Sequence, residues 1–88
     1  MAKLETERAV LAEMTALEIL AAVEERGWQW LLRSDPERGY YVHFTSPEWR
    51  RMALLEQFTS AHSHVEVWAD DLEDGLTEAF WKLKRGEQ

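Results

Sequence analysis

The stretch from Gly27 to Thr45, GWQWLLRSDPERGYYVHFT, most constrains what this chain can fold into, because two runs of period-two alternation flank a turn. Alternate side chains project to opposite faces of a strand. Asp35, Pro36 and Gly39 supply the turn: Pro holds φ near the value of the second turn position, and Gly permits the positive φ that closes a longer loop. The segment therefore predicts a β-hairpin. Trp28, Trp30 and Leu32 fall on one face with Tyr40, Val42 and Phe44, and this face is expected to line the core. Gln29, Leu31 and Arg33 fall on the other face with Tyr41, His43 and Thr45.

The flanks predict helices. From about Lys3 to Arg26 the chain is rich in Ala, Leu and Glu and has neither Pro nor Gly, which predicts one long helix. Val10, Met14, Leu17 and Ala21 form its first apolar stripe. A second set, Ala12, Ala16, Ile19 and Val23, lies largely round the other side and needs its own cover, from another helix or from a partner. Gly27 suits the left-handed position after a helix end, with Trp28 packing back on Val23. Ser46, Pro47 and Glu48 start a helix expected to run to about Thr59, followed by a loop, SAHSH. Val65, Val67 and Ala69 alternate with His64, Glu66 and Trp68 as a third strand. Asp70 or Asp71 caps a last helix with the stripe Leu72, Leu76, Ala79, Phe80 and Leu83, and Gly86 ends it. The order α-β-β-α-β-α predicts a single α+β domain over residues 1–88, with a small three-stranded antiparallel sheet packed with helices.

Composition narrows the function classes. The net charge of -7 opposes a broad grip on nucleic-acid phosphates, which needs clustered Lys and Arg, so direct nucleic-acid binding is not expected. The same acidity suits docking on a basic protein surface, in competition with nucleic acid for it. The chain has no cysteine, no signal-peptide pattern and no apolar run approaching the roughly 20 residues of a membrane span, so a soluble, cytoplasmic protein is expected. The serines sit in no nucleophile elbow, and there is no glycine-rich phosphate loop, which points away from an enzyme.

Two sets of residues carry the remaining chemistry. His62, His64 and Glu66 alternate along an extended segment and so present imidazoles and a carboxylate to one side, as a metal would require, and His43 can add a further nitrogen. The plainer reading is solvent-exposed or hydrogen-bonded histidine, and no cofactor is expected. Trp68 and Trp81 lie off the predicted core stripes, and Trp is enriched at interfaces. With Ile19, Val23 and Tyr41 they make the expected interaction surface.

YYVHFTS with VEVWADDLEDGLTEAFWKLK resembles the strand, acidic cap and helix ending of HicB-like antitoxin domains, Glu78 and Ala79 standing as their acid-Ala pair. ALEILAAVEERGWQWLL, GYYVHFTS and DDLEDGLTEAFWKLK are similar to small phage proteins of the ABA-sandwich type. The resemblances imply a helix-sheet-helix sandwich and a phage or bacterial accessory role. The leading expectation is a non-enzymatic module that binds a protein, itself included as a homodimer. The alternatives are an acidic, antitoxin-like inhibitor of a basic surface and a metal-binding protein.

Overall fold

The computed structural model describes residues 11, 13–59 and 63–86. Their elements are α1 (Ala16–Glu25), β1 (Gln29–Asp35), β2 (Gly39–Thr45), α2 (Pro47–Arg51), α3 (Leu54–Thr59), β3 (His64–Ala69) and α4 (Leu72–Gly86). The three strands form one antiparallel sheet in the order β1-β2-β3, and α1 and α4 pack on one of its faces. This is the expected α+β arrangement. No helix among the described residues is long and apolar enough to cross a membrane.

The hairpin forms as its alternation requires. Asp35 Oδ1 accepts the N–H groups of Glu37 and Arg38 at 2.8 and 3.0 Å, and those donors hold its carboxyl below the usual carboxylate range. Gly39 closes the loop at φ +90. The register sets Leu32 against Val42 and Trp30 against Phe44. Val42 and Phe44 are fully buried beneath the helices. Trp30 shares their face but stays 39% exposed, because β1 is an edge strand, and its Nε1 donates to Glu24 Oε1 at 3.0 Å.

The first helix departs from expectation twice. It does not run unbroken from Lys3: Thr15 caps a new start, its Oγ1 accepting the Glu18 N–H while Glu18 Oε1 accepts the Thr15 N–H. The residues Thr15-Ala16-Leu17-Glu18 are a capping box, and reciprocal side-chain bonds there compete with helix continuation. Residues 1–10 and 12, including Val10 and Ala12, lie outside the described residues. The inward face is also reversed. Ile19 and Val23, expected as interaction surface, are 1% and 0% exposed in the core, while Leu17 is 79% exposed and Ala21 is open. The helix exit explains this. Trp28 N–H bonds to the Val23 carbonyl and Gly27 N–H to that of Glu24, with Gly27 at φ +78, so the chain turns into β1 beside Val23 and carries that face onto the sheet. Burying Ile19 and Val23 stabilises by about 1.5–3 kcal/mol each.

The middle helix is also divided. Met52, at φ -70 and ψ 148, leaves helical geometry and separates α2 from α3. Trp49, Met52, Leu54, Leu55 and Phe58 do not share one stripe, so a single helix would have had no face to bury. Instead α3 is tied to α2: Gln57 Nε2 donates to the Trp49 carbonyl at 2.9 Å, and Trp49 Nε1 to the Gln57 carbonyl at 3.4 Å.

Asp71 caps α4, its Oδ1 accepting the N–H groups of Glu73 and Asp74 at 2.8 and 3.2 Å. Leu76, Ala79, Phe80 and Leu83 are buried as their spacing predicts. Trp81, expected at an interface, is buried with them in the same cluster. Both the sheet and α1 contact α4, so more than one stripe of it is covered.

Candidate functional site

The face of the sheet turned away from α1 and α4 carries the residues that alternation places opposite the core. Cross-strand pairing arranges them in rows: Arg33, Tyr41 and Trp68; Leu31, His43 and Glu66; Gln29, Thr45 and His64. The helices α2 and α3 reach only one end of this face. Trp49 lies with its ring centroid 5.2 Å from that of His43 and 5.1 Å from that of His64. At the other end Leu31 and Trp68 remain 42% and 45% exposed.

Two depressions meet at His43. One, of about 250 Å³, is lined by Leu31, Arg33, Tyr41, His43 and Trp68. Tyr41 and Trp68 pack there with ring centroids 5.0 Å apart and planes tilted by 46°, and the Arg38 guanidinium lies 5.1 Å over the Trp68 ring. Burial, with the Glu66 charge adding to it, pushes the Tyr41 hydroxyl above its ordinary range. The second depression, of about 280 Å³, runs from His43, His64 and Glu66 to Trp49, Leu54, Gln57 and Phe58. Beside it Leu54, Leu55 and Phe58 of α3 stand 70%, 76% and 79% exposed.

At the junction His43 Nε2 and His64 Nδ1 are 3.1 Å apart, and Glu66 Oε1 lies 3.8 Å from the first and 3.5 Å from the second. Burial lowers the His43 pKa from its usual value, against the opposing pull of Glu66 and with a smaller push from His64, and so favours the neutral imidazole.

The structure thus brings His64 and Glu66 together with His43, whereas His62 lies outside the described residues. Tyr41 and Trp68 occupy the open face; Ile19, Val23 and Trp81 belong to the core on the opposite side. Trp49 and the apolar residues of α3 were not anticipated as part of a site. Their lack of a common stripe was the available signal, since apolar residues with no inward face must be left exposed or used.

No family model matches the chain, and neither a curated protein nor a solved structure shows significant similarity to it. Functional assignment therefore rests on the chemistry of this face.

Proposed function

We propose that this protein is a non-enzymatic interaction module that self-associates through the open sheet face and α3. The observation that carries the reading is the adjacency of a hole and a knob. The aromatic depression around Tyr41, His43 and Trp68 adjoins a helix that projects Leu54, Leu55 and Phe58. A two-fold interface requires one surface to complement itself, and a projecting apolar helix beside an apolar groove meets that requirement with a second copy of the same chain. Large exposed apolar residues gathered on one side mark interaction surfaces in soluble domains.

Charge separates this reading from docking on a basic partner. Two copies each carrying a net charge of -7 repel, so salt strengthens self-association by screening, whereas an acidic protein held on a basic surface is released by salt. Sedimentation equilibrium at low and high salt tests it. The expected result is a dimer that tightens with salt and is lost in Leu55→Glu/Phe58→Glu and in Trp68→Ala. A monomer at every concentration and salt level would refute the reading.

A further inference from the structure

We propose that His43 Nε2, His64 Nδ1 and Glu66 Oε1 form a binding site for a divalent transition-metal ion of the zinc type, with water completing the coordination. The site shares His43 and the cleft beside Leu54 and Phe58 with the proposed self-association surface, but all three of its protein ligands come from one chain.

The site is built by strand register. His43 and Glu66 are directly paired across β2 and β3, and His64, two residues before Glu66, shares its face. Three donor atoms from two strands therefore converge on one point, all within 4.8 Å of one another. Zinc bonds of about 2.0–2.2 Å at tetrahedral angles place ligand atoms roughly 3.3–3.6 Å apart. The three separations here, 3.1, 3.5 and 3.8 Å, bracket that spacing, so an ion can be seated by side-chain shifts of a few tenths of an ångström. A hydrogen bond between the imidazoles accounts for the shortest separation but not for the carboxylate oxygen turned towards both.

The imidazoles are also held in place. Trp49 meets His43 edge-to-face at 86° and lies over His64 at 32°, and the two imidazoles are themselves nearly perpendicular at 81°. Trp49 is fixed in turn by the Ser46 cap on its N–H and by the two bonds to Gln57. The division of the middle segment into α2 and α3 thus positions the aromatic wall of the site. Ordering two imidazoles beforehand removes entropy that binding would otherwise cost. The cleft shared with Leu54, Gln57 and Phe58 leaves space for a water ligand.

The donor set selects the metal. Two imidazoles and one carboxylate suit zinc and its neighbours, whereas calcium and magnesium prefer all-oxygen shells. No thiolate is available, as the chain has no cysteine. A bound ion would tie the start of β3 to the middle of β2, closing the excursion through α2 and α3 that joins them.

Calorimetric titration of chelator-treated protein with zinc chloride, together with the visible spectrum of the cobalt(II) form, tests the proposal. The expected result is one zinc per chain, a higher melting temperature with zinc, and the absorption bands of tetrahedral cobalt. His64→Gln and Glu66→Gln should each weaken zinc by more than the roughly 10–100-fold that lost supporting contacts alone cost. Glu66 is half-exposed, so the glutamine variant should keep the metal-free melting temperature and isolate the ligand effect. No zinc uptake in large excess, affinity unchanged in both variants, or displacement of zinc by equimolar calcium would overturn it.

Discussion

His43 Nε2 and His64 Nδ1 lie 3.1 Å apart on neighbouring strands, with Glu66 beside both and Trp49 covering both rings. Burial holds the His43 pKa below its unfolded value of 6.5, so the native chain binds fewer protons there than the unfolded chain. Stability from this residue is therefore full above that value and declines as pH falls through it towards the lower folded pKa. Melting temperature in metal-free buffer should fall between about pH 7 and pH 5, and His43→Asn should flatten that slope. Equal slopes in the two proteins would contradict the assignment.

A side chain at Gly39 would overlap the Ala69 carbonyl group, besides requiring a left-handed backbone at φ +90. The backbone conformation alone costs a non-glycine residue about 1–2 kcal/mol, and the obstacle is main chain that cannot rotate away. Gly39→Ala should lower stability by more than about 2 kcal/mol, or roughly 10 °C in melting temperature for a domain of this size. Thermal denaturation followed by circular dichroism measures it.

The orientation of α1 predicts a sharp contrast between close neighbours. Ile19→Ala should cost about 2–5 kcal/mol by leaving a cavity in the core, whereas Leu17→Ala should stay within about 0.5 kcal/mol because Leu17 is open to solvent. Urea denaturation of the two variants, compared by midpoint, distinguishes this orientation from the opposite one.

Gln57 is the tie between α3 and α2. Gln57→Ala removes its side-chain bond to the Trp49 carbonyl, a loss of about 1 kcal/mol confined to this segment. Amide hydrogen exchange should quicken across residues 54–59 while the strands keep their protection. Uniform quickening throughout the chain would show instead that α3 is integral to the core.

Much of this fold is written locally. The hairpin follows from alternation around Asp35, Pro36 and Gly39, the C-terminal cap of α1 from Gly27 before Trp28, and the buried stripe of α4 from Leu76, Ala79, Phe80 and Leu83 behind the Asp71 cap. The capping box at Thr15 is equally local, four residues in the middle of a strongly helical stretch, and it prevails over the helix propensity of its surroundings. Of the candidate site, the spacing of His64 and Glu66 was legible, and so was the outward face of His43.

What the sequence by itself determined, then, is the set of elements and the two faces of each strand, because turn chemistry and side-chain periodicity act over a few residues. Only the tertiary structure decided which of two apolar faces of α1 turned inward, whether Trp81 was covered, and that His43 stands opposite Glu66. Those outcomes depend on how the chain leaves α1 beside Val23 and on the pairing of β2 with β3 across the intervening α2 and α3, contacts between residues far apart in sequence. No local pattern of residues encodes them.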